Sequence, residues 1–359
     1  MLQALVAIAL SFLVVAVTTP AIRTYALQRK LGDKPNGRKI HSSMIPHLGG
    51  IGMVLGVWAS LAAVSAFFGG MREGVLGVLL KTFVPVGMIV ILGLADDTRN
   101  LKAHQKLSIQ TLASIIIAVS GFHLFVGMPF FDGHVLFVTL LTSFYLVGTS
   151  SSVNLIDGLD GLAAGVSFIS ATAFGVAAAL LHAPALVCVA LALSGACLGF
   201  LLYNFPPGKI FMGDTGSLFL GIMLGVLACS ITMARPAVST FFGVCFVLAI
   251  PMLDSWLAIA RRVALRRPVF QADHMHIHHV LTSFGLTPRQ TLAILYPMQA
   301  VMAVLGVLAI KGFVLPVFAG VAFIVIAIPT FYHMMVASKQ KAPERAPDFV
   351  RRTVPSLEK

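Results

Sequence analysis

The densest group of polar side chains in this apolar sequence is the segment N-L-I-D-G-L-D-G, residues 154–161. It places one amide, Asn154, and two carboxylates, Asp157 and Asp160, between two long apolar runs. At helical spacing Asn154, Asp157 and Gly161 would share one face, with Asp160 one turn after Asp157 on the same side. Two interpretations stay open. The segment is either a ligand site or a helix end, in which Asn154 caps the following helix and the carboxylates interact with its dipole.

A second segment, F-M-G-D-T-G-S at residues 211–217, surrounds Asp214 with glycines. Gly213 and Gly216 would let the backbone approach a ligand closely, and the N-terminus of the following helix would offer N–H donors to a phosphate. A carboxylate beside a phosphate site requires a cation between the two. The pattern therefore predicts Mg²⁺, which takes oxygen ligands and is usually held by one or two protein groups together with substrate phosphates.

A third candidate, the pair Asp96 and Asp97, ends an apolar run and is followed by Lys102 and Lys106. Neighbouring side chains on a helix point about 100° apart, so one of the two carboxylates is expected to face the reacting atoms. The other carboxylate is expected to orient a neighbour or to bind.

The fourth group is the histidine cluster of D-H-M-H-I-H-H, in which His276, His278 and His279 lie in an arginine-rich loop. Three imidazoles so close together suggest zinc, but no cysteine is near in the sequence and no second cluster completes a tetrahedral set. We therefore expect these side chains to contact a diphosphate.

Transmembrane helices are the elements that must position these groups. Of the 359 residues, 58% are hydrophobic and 11% are charged, whereas soluble domains have about half and about a quarter. Uncharged runs long enough to cross a hydrocarbon core of ~30 Å predict an all-α polytopic membrane protein with eleven transmembrane helices. The runs lie near residues 2–22, 48–69, 77–95, 107–127, 134–149, 162–181, 184–203, 217–234, 237–260, 291–310 and 313–337.

Basic residues set the predicted orientation. If the odd-numbered runs all end on one side, that side holds 21 of the 25 lysines and arginines. Such a bias marks the side as cytoplasmic and places the N-terminus outside. The net charge of +12 then reflects topology and anionic headgroups, and no basic-aromatic pattern indicates nucleic acid.

Acidic residues concentrate on the same cytoplasmic side. A single ionisable group at a membrane boundary is readily explained as a solvated helix end, but buried charge near a bilayer is costly and usually functional. Seven acidic residues in separate segments therefore predict one shared site: Asp96, Asp97, Asp157, Asp160, Asp214, Asp254 and Asp273.

The chain is interpreted as a single transmembrane catalytic domain, residues 1–337, with a substrate loop at about 261–290. All four cysteines fall within apolar runs, where they are expected to act as small apolar residues. The remaining residues, 338–359, form a polar tail that is expected to be disordered.

The chain resembles the polyprenyl-phosphate N-acetylhexosamine-1-phosphate transferases (glycosyltransferase family 4) in five motifs. They are N-L-I-D-G-L-D-G-L-A, Asp96–Asp97, the N-x₉-D step from Asn204 to Asp214, H-I-H-H, and H-S-S-M-I-P-H-L-G-G beginning at His41. The resemblance runs from about residue 30 to residue 285, and the motifs together are highly specific.

The histidine motif indicates one branch of this family. The phospho-N-acetylmuramoyl-pentapeptide translocase of peptidoglycan synthesis typically has three consecutive histidines, whereas Ile277 here separates His276 from His278. The interrupted motif is similar to that of the branch that transfers N-acetylglucosamine 1-phosphate for lipopolysaccharide O-antigen, enterobacterial common antigen or teichoic-acid linkage units.

The resemblance implies that undecaprenyl phosphate attacks the β-phosphorus of a UDP-N-acetylhexosamine, most simply UDP-N-acetylglucosamine, and that UMP is released. The enzyme would lie in the inner membrane of a bacterium, with membrane lipid as a partner and a homodimer as an open possibility. Mg²⁺ is the implied cofactor, with Mn²⁺ as the alternative. By family correspondence the metal ligands are Asn154 and Asp214, the catalytic residues are Asp96, Asp97, Asp157 and Asp160, and the substrate-binding residues are Lys106, Asn204, His41, His276, His278 and His279.

Other functions compete with this interpretation. The peptidoglycan translocase is the nearest alternative. A secondary transporter would place its ionisable groups near the bilayer midplane, whereas these lie at one face. A CDP-alcohol phosphotransferase needs an arginine in its D-G-x-x-A-R signature, where this chain has Gly161-Leu162-Ala163-Ala164.

Overall fold

The computed structural model describes residues 1–33, 44–99, 101–126, 128, 131, 133–264, 266 and 275–345. The helices are α1 (Leu2–Gln28), α2 (Gly49–Phe67), α3 (Gly69–Arg99), α4 (Ala103–Val119), α5 (Val135–Ile156), α6 (Leu162–Leu180), α7 (Pro184–Asn204), α8 (Gly213–Ala234), α9 (Val238–Val247), α10 (Ala249–Ala264), α11 (Ile277–Ser283), α12 (Pro288–Lys311) and α13 (Leu315–Arg345). Two short antiparallel strands, β1 (Gly32–Asp33) and β2 (Ile45–Pro46), precede α2.

The predicted class, an all-α polytopic membrane protein, is confirmed. Within the described residues nine helices are long and apolar enough to cross a membrane, and α9 with α10 forms a bent tenth candidate. The run predicted near 107–127 is shorter than expected, because α4 has 17 residues and ends before Gly121, whose φ of 100° is left-handed. The number of crossings and their orientation stay predictions.

The last helix continues beyond the predicted boundary of the transmembrane domain. Helix α13 extends to Arg345, past residue 337, where the polar tail was expected to begin. Residues 346–359 lie outside the described part of the chain.

The span predicted near 237–260 consists of two helices joined by a sharp bend. Helices α9 and α10 meet at an angle of 84°, because Pro251 has no N–H and its ring would clash with the carbonyl of residue 247 in a continuous helix. Buried Gln299 satisfies the backbone at the break. Its Oε1 accepts from Ile250 N at 3.1 Å, and its Nε2 donates to Val247 O at 2.6 Å.

Three helices meet through backbone contacts at the start of α8. A Cβ atom at Gly93 of α3 would lie 2.4 Å from Thr215 Cα, and one at Gly50 of α2 would lie 2.2 Å from Gly216 N. Both distances are far below the roughly 3.5–4.0 Å that separates nonbonded carbon atoms in van der Waals contact. Only glycine fits at these positions, so the main chains of α2, α3 and α8 touch.

We expect Gly93→Ala to destabilise the protein by about 1–3 kcal/mol, because the added methyl group overlaps backbone atoms that cannot turn away. Gly87→Ala on the same helix is the matched control, since no described heavy atom lies within 4 Å of a Cβ at that position. Thermal unfolding of both variants in detergent measures the difference. Equal melting temperatures for the two variants would contradict the backbone contact.

Candidate active site

Lys106 joins two carboxylates that come from different helices. Its Nζ lies 2.9 Å from Asp96 Oδ2 and 2.5 Å from Asp214 Oδ2. The other oxygen of Asp214, Oδ1, accepts a hydrogen bond from Asn154 Nδ2 at 2.9 Å. The structure therefore links side chains of α3, α4, α5 and α8 in one hydrogen-bonded chain, as the predicted convergence of these motifs requires.

The orientation of the Asn154 amide is fixed by two acceptors. Its Nδ2 donates to Ser217 Oγ at 2.9 Å in addition to Asp214. Ser217 Oγ in turn donates to Gly213 O at 3.0 Å. Both N–H groups of the amide are used within the protein, so the carbonyl oxygen Oδ1 is the atom that Asn154 can offer to a ligand.

Asp97 points away from Asp96 and caps helix α8. Its Oδ1 accepts from Asp214 N at 2.7 Å, and its Oδ2 accepts from Thr215 N at 3.1 Å and from Thr215 Oγ1 at 2.7 Å. Asp96 instead accepts from Leu101 N at 2.7 Å and pairs with Lys106. The two adjacent carboxylates thus have different surroundings, as their helical spacing predicts.

At the N-terminus of α8, where a phosphate site was predicted, two N–H groups are already used. Those of Asp214 and Thr215 are bonded to the Asp97 carboxylate, so they are not available as donors to a ligand. The flanking glycines serve this packing as well. Gly213 has a left-handed φ of 70°, and a Cβ there would lie 2.6 Å from Asp97 Oδ1, whereas Gly216 contacts the backbone of Gly50.

The segment 157–161 is a turn and does not continue the helix. Helix α5 ends at Ile156 with Asp157 as its C-cap, and α6 begins after Gly161, whose φ is 79°. The prediction of a helical face shared by Asn154, Asp157 and Gly161 is therefore wrong, and so is the one-turn spacing of Asp160. Asn154 as the N-cap of the following helix is also wrong, because Gly161 occupies that position.

Asp157 lies in this turn close to other carboxylates. Its pKa is raised well above the ordinary value, because burial removes water from the carboxylate and nearby negative charge opposes ionisation. That charge comes from Asp214, Asp97 and Asp160. A cation bound here would offset the accumulated charge.

Asp160 and Asn204 tie the turn to the segment 205–211. Asp160 Oδ2 accepts from Gly208 N at 2.9 Å. The side chain of Asn204, 3% exposed, accepts from Gly161 N and donates to Ile210 O, both at 2.9 Å. Asn204, predicted to bind substrate, therefore shapes these loops from within the protein, because both ends of its amide are already bonded.

Two side chains that the sequence motifs do not include support the same loops. Tyr296 OH donates to Gly161 O at 2.7 Å, and Arg289 Nε donates to Pro206 O at 3.0 Å. Both residues belong to α12. Tyr296 lies in the predicted apolar run 291–310, where no local pattern distinguishes it, whereas Arg289 lies at the end of the predicted substrate loop 261–290. By contrast, Thr215 and Ser217 lie inside the F-M-G-D-T-G-S motif, where hydroxyl groups next to Asp214 are a usable signal.

The histidine cluster lies against the turn 157–161. His278 is 2% exposed, and its Nε2 has no hydrogen-bond partner among the described residues. A Cβ atom at Gly158 would lie 2.6 Å from that nitrogen. The pKa of His278 is lowered to about 2, because burial disfavours the charged imidazolium and the charges of His279 and His276 oppose it.

Three predicted residues remain to be placed: His41, Asp254 and Asp273. Asp254 contacts His276 and lies beside the histidine cluster. His41 and Asp273 lie outside the described residues.

The donor atoms of the site fit a hard divalent cation. Asn154 offers a carbonyl oxygen and Asp214 a carboxylate, and the two side chains are joined by the hydrogen bond from Asn154 Nδ2 to Asp214 Oδ1. Asp157 adds a carboxyl group whose ionisation is opposed by its neighbours. Among the described residues no three His, Cys, Asp or Glu side chains form a group that could hold a metal ion. The Asn154 carbonyl and the Asp214 carboxylate could hold Mg²⁺, which typically takes one or two protein groups and is completed by substrate phosphates.

Known proteins are similar to this chain over most of its length. The chain is 35% identical to the probable undecaprenyl-phosphate N-acetylglucosaminyl 1-phosphate transferase of Bacillus subtilis over 304 residues, which cover 82% of this chain and 82% of the relative. The family model described as glycosyl transferase family 4 matches residues 79–232. The chain belongs to glycosyl transferase family 4. The family match extends from α3 to α8 and includes the Asp96–Lys106–Asp214–Asn154 chain.

Other family members are similar over comparable lengths. The decaprenyl-phosphate N-acetylglucosaminephosphotransferase of Mycobacterium leprae is 34% identical over 75% of this chain and 74% of its own. The phospho-N-acetylmuramoyl-pentapeptide-transferase of Desulforudis audaxviator is 33% identical over 87% of this chain and 99% of its own. The histidine cluster and α10 lie beyond the region that the family model matches.

Proposed function

We propose that this family 4 protein transfers N-acetylglucosamine 1-phosphate from UDP-N-acetylglucosamine to undecaprenyl phosphate and releases UMP. The product would begin a lipid-linked glycan of the cell envelope, and the protein would lie in the cytoplasmic membrane of a bacterium. The observation that carries the proposal is the chain of Asp96, Lys106, Asp214 and Asn154, which gathers an ammonium group and oxygen donors at one end of the helices.

The charges of the reactants explain why such a site is needed. Both the lipid phosphate and the sugar nucleotide are anionic, so their approach requires positive charge between them. Lys106 provides one such charge, and its pairing with two carboxylates keeps the ammonium at the position where the helices converge. The carboxylates hold this cation but also add negative charge, so a further cation is required.

Asn154 and Asp214 would hold Mg²⁺, which when bound would offset negative charge on the diphosphate. Asp96 orients Lys106 toward the acceptor phosphate, and a general base is not required, because a phosphate monoester with a second pKa of about 6 is already largely ionised at pH 7. Asp157 adds a carboxyl group that a bound cation would hold in its ionised form, while Asp160 and Asn204 fix the loops that receive the nucleotide.

The choice of N-acetylglucosamine is supported by the names of relatives in Bacillus subtilis and Mycobacterium leprae. Ile277 supports it as well, because it interrupts the run of histidines that is typical of the muramoyl-pentapeptide branch. The geometry of the described residues is compatible with either donor.

Purified protein with undecaprenyl phosphate, Mg²⁺ and a panel of UDP-sugars tests this function. We expect UMP release with UDP-N-acetylglucosamine or a close UDP-N-acetylhexosamine, and none with UDP-N-acetylmuramoyl-pentapeptide, because the interrupted histidine motif differs from that of the pentapeptide branch. Omitting the lipid acceptor is the control for simple hydrolysis. Preferential use of the muramoyl pentapeptide would contradict the donor assignment, and release that does not depend on the lipid would contradict the transfer.

A further inference from the structure

A buried carboxylate outside the phosphate-transfer chain anchors the histidine cluster. Asp254 of α10 is 1% exposed. Its Oδ2 lies 2.6 Å from His276 Nδ1, and its Oδ1 accepts from Ile277 N at 2.7 Å. One side chain thus holds both an imidazole ring and the first backbone N–H of α11.

This contact determines which nitrogen of His276 carries a proton. An ionised carboxylate can only accept hydrogen bonds, so Nδ1 of His276 must donate to it. The ring is then held with Nε2 directed away from Asp254. A partner that fixes the tautomer and orientation of a histidine in this way is a recurring feature of functional imidazoles.

The orientation of His276 is passed on to its neighbours. The rings of His276 and His278 are parallel within 5°, with centroids 6.0 Å apart, and the rings of His278 and His279 are 4.2 Å apart. His278 reaches the turn 157–161 at Gly158. Asp254 is therefore linked, through the rings of His276 and His278, to the turn that carries Asp157 and Asp160.

We propose that Asp254 is a positioning residue for the sugar-nucleotide donor, acting through His276. The inference rests on the proposed transferase function. In this proposal Asp254 fixes the tautomer and the orientation of His276. Nε2 of His276 then contacts the donor diphosphate. Asp254 itself touches neither substrate.

Asp254→Asn separates this role from simple packing. The amide keeps the size of the side chain and can still accept from Ile277 N, but it presents a donor to His276 Nδ1. We expect kcat/KM for the donor to fall by roughly 10–100-fold, the usual effect of removing such an orienting partner, while KM for undecaprenyl phosphate stays unchanged.

A double-mutant cycle with His276→Ala supplies the decisive readout. If Asp254 acts through His276, the Asn substitution lowers kcat/KM by less than about threefold in the His276→Ala background, since coupled residues are not additive. Where turnover falls below detection, the dissociation constant of UDP-N-acetylglucosamine is measured for the same four proteins. The same lack of additivity is expected. Full additivity in both measurements would overturn the proposal.

One control distinguishes loss of position from loss of structure. Gln299→Met removes buried hydrogen bonds at the α9–α10 break without touching the histidines, so its effect should add to that of His276→Ala. Coupling of this control with His276→Ala would count against a specific role for the imidazole contact.

A measurement on the unsubstituted protein covers the case in which Asp254→Asn does not fold. With ¹⁵N-labelled histidine, the His276 signal, identified by its loss in His276→Ala, should show a proton on Nδ1. An unprotonated Nδ1 would refute the inference. Absence of UMP release by the unsubstituted protein would instead refute the proposed function, so the two failures are distinguishable.

Discussion

Asp214→Asn is expected to reduce turnover by roughly 10³-fold, in line with the loss of one preorganised charged group from a polar active site. Asp214 accepts from both Lys106 and Asn154 through its side chain. An asparagine side chain of the same size would direct its NH₂ group at Lys106 or at Asn154, which are themselves donors. It would also remove the negative charge that attracts Lys106 and Mg²⁺. UMP release at saturating Mg²⁺ measures the effect.

The fold should survive this substitution, because the backbone N–H of residue 214 remains bonded to Asp97. Ser217→Ala is the matched control. It removes the other acceptor of the Asn154 amide but leaves the charge in place, so we expect a loss of less than about 10-fold for one neutral hydrogen bond. UMP release by Asp214→Asn at a rate close to that of the unsubstituted protein would contradict the assignment of Asp214 as a metal ligand.

Asp97→Asn is expected to reduce both stability and turnover. The carboxylate accepts three hydrogen bonds from Asp214 and Thr215, and an amide cannot accept all of them with the same geometry. Because a buried donor is left unsatisfied, we expect a cost of about 1–3 kcal/mol in the free energy of unfolding. Turnover should fall by roughly 10–100-fold, since Asp214 loses the group that positions its backbone.

Thr215→Val is the control for this prediction. It keeps the shape of the side chain and both backbone N–H groups but removes one of the three donors to Asp97, so it should cost about 0.5–1.5 kcal/mol. Thermal unfolding and UMP release are measured on both variants. If Asp97→Asn were as stable as Thr215→Val and equally active, Asp97 would not be the cap that positions Asp214.

The convergence of Asp96, Asp214 and Asn154 could be predicted from the sequence because apolar runs alternate in direction across a membrane. Motifs at the ends of odd-numbered runs therefore meet on one side, and costly charges near a bilayer are rarely placed there without a partner. The use of each carboxylate could not be predicted in the same way. The bond from Asp97 to the first turn of α8 depends on how α3 packs on α8, which a single local motif does not contain.

Helix boundaries near glycine and proline were the least predictable part of the fold. The helical spacing of Asn154, Asp157 and Gly161 and the apolar run through Leu248 both favour uninterrupted helices. Gly161 with its left-handed backbone and Pro251 in the first turn of α10 end that continuity. As a result, Asp157 and Asp160 lie on a turn, and α10 departs from the axis of α9 by 84°.

The backbone contacts of Gly50 and Gly93 with α8 have a consequence for how this enzyme can diversify. A position where even one methyl group overlaps the main chain of another helix admits almost no substitution. The packing of α2, α3 and α8 at this side of the site is therefore fixed. We therefore expect a new donor preference to arise from changes on the opposite side of the site, in the histidine cluster and in Asp254 of α10. Selection or engineering for another sugar is best directed at libraries of those residues, with the glycine junction left unchanged.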